Sequence, residues 1–146
     1  MLALALLLSV DAADNPFRVQ PQGLSVPAGS SAKATFVITV PDGTFLYQDM
    51  TEVKVVASAP LTAGAPDLPP AVEKEDPVLG MTRSIWDQDV YIEIPVTAPA
   101  ELGDHSLVLE ARYQGCKGTL CYMPVTEEVT IPVRVLAAVD ADAGAP

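Results

Sequence analysis

The sequence predicts an all-β domain built as two facing sheets. Three observations carry that prediction. Apolar residues recur at every second position in four separate runs, fourteen prolines and nine glycines punctuate the chain between them, and no stretch of ten or more residues sustains a 3.6-residue apolar period. The 146 residues suit one ordinary domain with short tails.

Taken in order, residues 1–10 read MLALALLLSV. A bilayer core needs roughly 20 residues in helix, so this run does not span one. It fits the apolar part of a secretory signal, with Val10 and Ala12 at the two small-residue positions before a cleavage site. Residues 1–13 are therefore expected to be a signal-peptide remnant, the competing reading being a buried first strand or helix. Residues 16–136 are expected to form the domain. Its first strand signals, near residues 24–26, are weak. Ala34, Phe36, Ile38 and Val40 then alternate with Lys33, Thr35, Val37 and Thr39 as far as the turn signal Pro41-Asp42-Gly43. Weaker strands are expected at residues 45–47 and 53–56.

Residues 57–75 are rich in proline and alanine and read as a long, partly extended connection. The loop Asp76-Pro77-Val78-Leu79-Gly80-Met81 that follows carries apolar side chains, which on a loop usually cover something. Strong alternation returns at Val90, Ile92, Ile94 and Val96, at Leu107, Leu109, Ala111 and Tyr113, and at Val129, Ile131, Val133 and Val135. Pro132 removes a ladder donor, so the last strand is expected at an edge or with its proline nitrogen facing outward. Residues 137–146, AAVDADAGAP, are small, acidic and aperiodic and read as a flexible tail or linker. His105, Trp86 and Tyr91 have no neighbours that suggest chemistry and read as structural, core or rim residues.

Composition narrows the function. Two cysteines and one histidine are too few for a structural zinc cage, and no metal or cofactor is expected. A net charge of −11 repels phosphate backbones and anionic lipid, which argues against nucleic acid and electrostatic membrane docking.

The two cysteines become the informative feature. Four residues separate Cys116 from Cys121, and Gly118 can supply the positive φ of a tight reversal, so a hairpin would set the two opposite each other. Opposed strand residues have Cα atoms about 4.5–5.5 Å apart, within reach of a disulfide. A structural staple is the common fate of such a pair in an exported protein. Loop-closure entropy gives a ring this short only roughly 2 kcal/mol, against nearly 5 for a ring of about 100 residues. Spacing alone leaves staple and redox pair both open. A Cu(I) site of Cys116, Cys121 and Met123 satisfies ligand softness but lacks a further ligand.

The run Tyr113-Gln114-Gly115-Cys116, closed by Cys121-Tyr122-Met123-Pro124, resembles the YQGC…CYPP segment of the amino-terminal periplasmic domain of DsbD, the thiol:disulfide interchange protein family. Asp42-Gly43-Thr44-Phe45-Leu46-Tyr47 resembles that family's DGYYLY segment, and Asp76 to Gly80 falls where its cap loop lies. The likeness covers about residues 17–135. It implies an immunoglobulin-like β-sandwich with the cysteine pair on a hairpin and a cap loop over it. It also implies a redox-active disulfide that takes electrons from a membrane-embedded or thioredoxin-like donor. These pass to thioredoxin-like domains of periplasmic disulfide isomerases or cytochrome c maturation proteins.

By position, the resemblance makes Cys121 the partner-bonding sulfur and Cys116 the resolving one. Phe45, Tyr47 and Tyr122 would pack around the pair, Val78 and Leu79 would form the cap, and Asp76 would exchange protons with a thiol. A periplasmic monomer is implied, either excised from a membrane-linked parent or standing alone. The family usually places one more residue between its cysteines, and an aromatic ring where Val78 stands. Because the chain is acidic and Lys117 is expected to be the only nearby cation, both reduced thiols are expected to ionise at or above the ordinary ~8.5. The competing function is a non-catalytic immunoglobulin-like binding or structural module with a stapled hairpin.

Overall fold

A computed structural model describes residues 15–76 and 80–138, so the expected signal remnant, most of the tail, and Val78 and Leu79 of the expected cap lie outside the described residues. The strands in chain order are β1 (Arg18–Gln22), β2 (Leu24–Pro27), β3 (Ser31–Thr39), β4 (Thr44–Tyr47), β5 (Glu52–Ala57), β6 (Thr62–Ala63) and β7 (Val72–Glu75). They continue as β8 (Thr82–Trp86), β9 (Val90–Thr97), β10 (Gly103–Tyr113), β11 (Gly115–Lys117), β12 (Leu120–Cys121) and β13 (Val125–Leu136).

The strands form three sheets, ordered β1-β3-β9-β6, β2-β13-β10-β5 and β12-β11-β4-β8-β7. The first two supply the sandwich. Phe36 and Ile38 of β3, Ile92 and Ile94 of β9, Leu107 and Leu109 of β10, and Ile131 and Val133 of β13 meet in one buried cluster. Each such side chain contributes roughly 1.5–3 kcal/mol by leaving water. The period-two pattern that predicted these strands is the pattern of their burial: β9 and β13 both alternate buried with exposed or half-buried positions along the core stretch. Leu46 and Trp86 join the same cluster from the third sheet, and the Trp86 indole N–H donates to the Pro69 carbonyl at 3.1 Å. Tyr91 is a rim residue, and exposed His105 places Nε2 3.0 Å from the Glu101 carbonyl.

Of the two alternatives expected for the last strand, the edge position is not the one found: β13 is an interior strand, paired antiparallel with β10 and parallel with β2. Pro132 is tolerated there because the β2 ladder begins one residue later, at Val133 opposite Leu24. The proline-rich connection is partly extended and contributes short edge strands of its own. It lends β6 to β9, a bridge from Asp67 to Glu93, and β7 to β8. These segments lack an apolar alternation because they lie at sheet edges with their side chains largely in water.

Candidate active site at the cysteine hairpin

The third sheet builds the site. Gly118 (φ 60°) and Thr119, with no positive φ, form the two-residue reversal of a type II′ hairpin, the geometry that suits twisted antiparallel strands. The reversal sets Cys116 opposite Cys121, and the two form a disulfide with Cα atoms 3.9 Å apart. They are closer than a regular cross-strand pair. On its other side β11 pairs with β4, so Cys116 also lies opposite Phe45.

Gly115 explains why the hairpin can lie so close to its neighbours. A Cβ there would run into the edge of the Phe17 ring and come within 2.7 Å of the Phe45 carbonyl oxygen. Phe17 is itself buried, edge-on to Tyr113 at 6.2 Å and to Tyr122 at 6.0 Å between centroids. The base of the hairpin is closed by the Tyr122 N–H donating to the Gly115 carbonyl at 2.9 Å, and by the Gln114 side-chain amide donating to the Tyr122 carbonyl at 3.0 Å. Tyr122 thus braces the hairpin through its backbone and Phe17.

The sulfurs differ in access. Cys116 is fully buried, in a small cluster with Tyr47 and Ile85 and with Phe45 and Met50 packed on it, whereas Cys121 is only half-buried. Cys121 lines an open groove of about 650 Å³ whose walls include Phe17, Arg18, Tyr122, Met123 and Glu127. Leu120 and Met123, on either side of Cys121, expose 62% and 79% of their surface, so the reachable sulfur lies in an apolar patch.

Polar groups reach Cys121 through Tyr47. Its ring packs edge-on to Phe45 at 5.5 Å, and its hydroxyl donates to Asp76 Oδ2 at 2.8 Å while lying 3.8 Å from Cys121 Sγ. Burial and the hydrogen bond to Asp76 push the Tyr47 phenol up to about 12. Asp76 is buried, with its amide donating to the Met81 carbonyl at 2.8 Å. Arg83 completes the group. Its guanidinium lies 4.1 Å from the Tyr47 ring centroid, with Nη1 3.7 Å from Asp76 Oδ2 and Nη2 2.6 Å from Asp49 Oδ1.

The structure therefore brings together Cys116, Cys121, Phe45, Tyr47, Tyr122 and Asp76 of the expected residues. The expectation that Lys117 is the only nearby cation is corrected: Lys117 is exposed on the hairpin, and Arg83 is the cation tied to Tyr47 and Asp76. Arg83, Ile85, Met50 and Phe17 were not expected at the site. A hairpin reading of residues 72–86 would have found Arg83, since the pairing of Glu75 with Thr82 brings the strand after the loop back beside Asp76. Among the described residues, no cluster of three or more His, Cys, Asp or Glu is placed to hold a metal, and no helix is long and apolar enough to cross a membrane.

A family model described as thiol:disulfide interchange protein DsbD, N-terminal, matches residues 13–132. Among solved structures, the chain is similar to the DsbD amino-terminal domain of Neisseria meningitidis in its reduced form. That likeness has 24% identity and a TM-score of 0.52, covering 73% of this chain and 82% of that one. It is also similar to a chain from the complex between the DsbD and PilB amino-terminal domains of the same organism. There the identity is 26% and the TM-score 0.50, covering 77% of this chain and 80% of that one. No curated protein matches the sequence.

Proposed function

The chain belongs to the family of DsbD amino-terminal domains, and from that membership we propose that it is a periplasmic thiol–disulfide exchange domain that passes electrons between thioredoxin-like proteins. Its disulfide takes two electrons from a thioredoxin-like or membrane-embedded donor. The dithiol so formed reduces periplasmic disulfide isomerase or cytochrome c maturation partners. The complex of the Neisseria domain with the PilB amino-terminal domain supports a partner that is itself a folded domain. No cofactor is needed, because the electrons travel as thiol–disulfide bonds.

The observation that carries this reading is the asymmetry of the pair: Cys121 opens on a groove and an exposed apolar patch, while Cys116 is sealed behind it. In the donating direction, the Cys121 thiolate attacks a sulfur of the partner's disulfide. A Cys121–partner bond forms, and the partner's second sulfur leaves as a thiolate and takes up a proton. Cys116 then loses its proton and attacks Cys121 Sγ, restoring the internal disulfide and releasing the partner's first sulfur as a thiolate. The partner has gained two electrons and the domain has lost two. A six-residue ring within one hairpin adds little as a staple, roughly 2 kcal/mol by loop entropy.

Trapping tests the assignment. Reduced Cys116→Ala should hold an oxidised thioredoxin-like domain as a mixed disulfide through Cys121, while Cys121→Ala should hold none. Equal trapping by both variants would remove the distinction between an attacking and a resolving cysteine.

A further inference from the structure

We propose a second substrate class for the same sulfur: the groove beside Cys121 takes a small disulfide of two α-amino acids, of the cystine class, with Arg18 receiving a carboxylate and Glu127 an ammonium group. The inference rests on the exchange reading above and extends it from folded partners to a small molecule.

The groove has the size and lining that such a ligand needs. Its volume of about 650 Å³ falls within the roughly 300–1,000 Å³ usual for small-molecule sites. Phe17, Val19, Tyr122 and Met123 give it apolar walls, Cys121 supplies the reacting sulfur, and Arg18 and Glu127 add one charge of each sign. The exposed Leu120 and Met123 account for the docking of a folded partner but give these two charges no role.

Both charges are held in place, and neither neutralises the other. Arg18 Nη1 donates to the Asn15 carbonyl at 2.6 Å and to the Phe17 carbonyl at 2.9 Å. That occupies one nitrogen and leaves Nη2 and Nε for a carboxylate. Glu127 accepts the hydroxyl hydrogen of buried Tyr113 and keeps a second oxygen for another donor. Lys33, Lys54, Lys74, Arg83 and Arg134 each have a carboxylate at 4.0 Å or less. Arg18 has no such partner among the described residues, although it shares a groove with Glu127 and the chain carries a net charge of −11. Opposite charges on one groove favour a zwitterion, because a ligand of a single sign meets one attraction and one repulsion.

In the reduced domain the Cys121 thiolate attacks one sulfur of the small disulfide. A Cys121–ligand bond forms, the ligand's own S–S bond breaks, and its second half leaves as a thiolate that takes up a proton. Cys116 then loses its proton and attacks Cys121 Sγ, which remakes the internal disulfide and releases the first half as a second thiol. The ligand gains two electrons and the domain loses two.

The test measures rate constants for the reduced domain with cystine, cystamine, dithiodipropionate and hydroxyethyl disulfide, by acid quench and mass spectrometry of the domain. Each rate is divided by that for uncharged hydroxyethyl disulfide in the same variant, which cancels any change in the sulfur itself. Arg18→Gln should lower the cystine and dithiodipropionate ratios about fivefold, and Glu127→Gln the cystine and cystamine ratios by as much. Cystine has no net charge, so a mere change in the surrounding field leaves its ratio alone. A cystine ratio unchanged in either variant overturns the proposal. An equal fall in Lys117→Gln, which removes an exposed cation outside the groove, overturns it too. Should Arg18→Gln not fold, Glu127→Gln decides by the same criterion. Reduction of hydroxyethyl disulfide without the expected ratios overturns this proposal alone, whereas failure to reduce any of these disulfides overturns the exchange reading with it.

Discussion

Replacing Gly115 with alanine should damage the hairpin more than any other single methyl added to the site. The ideal Cβ would overlap the Phe17 ring edge and sit 2.7 Å from the Phe45 carbonyl oxygen, and neither neighbour yields easily. Phe17 is 2% exposed and wedged against Tyr113 and Tyr122, while the Phe45 carbonyl belongs to the strand paired with β11. Relief requires β11 to separate from β4 or Phe17 to leave its socket. Overpacking of this kind typically costs 1–3 kcal/mol, and disturbing a short ladder adds to it, so a loss of about 3 kcal/mol is expected. Urea unfolding of the oxidised domain measures it as a lower midpoint at unchanged slope. Phe17→Ala should itself cost about 3–5 kcal/mol. The double variant should cost less than the sum of the two by about 1–2 kcal/mol, because alanine at position 17 makes room for the new methyl. A Gly115→Ala domain within about 0.5 kcal/mol of the parent, or strict additivity with Phe17→Ala, would refute the packing argument.

Two further outcomes follow from the site. Tyr47 and Tyr113 are both pushed up to about 12, Tyr47 by burial and its hydrogen bond to Asp76, Tyr113 by burial and the charge of Glu127. Since the folded state holds these protons more tightly than the unfolded one, their stabilisation is complete below about pH 10 and is lost as pH rises towards 12, on the order of 2–3 kcal/mol for each. Ultraviolet titration of tyrosinate should show two late-ionising tyrosines, and Tyr47→Phe should remove one of them. In the reduced domain, peptide mapping after brief alkylation should find Cys121 labelled at least about tenfold ahead of Cys116, given the difference in access; comparable labelling would contradict the assignment of Cys121 as the outward sulfur.

The sandwich was legible because its strands are buried on one face and wet on the other. The inward residues of β9, β10 and β13 repeat at period two, and burial enforces that period. β1, β6 and β7 were not legible, because edge strands with exposed side chains carry no alternation. The cysteine hairpin and its aromatic neighbours were found from local spacing and family likeness. Arg83 was missed for a different reason. Its importance lies in contacts to Tyr47 and Asp49, more than thirty residues away in sequence, which only the pairing of β4 with β8 brings into reach. The alternation of faces along β4 explains why Phe45 and Leu46, adjacent in sequence, have different roles: Phe45 packs on the disulfide cluster and Leu46 on the main core.

The central claim is that the Cys116–Cys121 bond is broken and remade in the working life of the domain. Equilibration with dithiothreitol or thioredoxin, followed by quantification of free thiol, gives its reduction potential. Exchange proteins lie between about −270 and −120 mV, and a value in that range is expected here. A potential below about −300 mV, where structural disulfides lie, would contradict the claim and leave the bond as a staple.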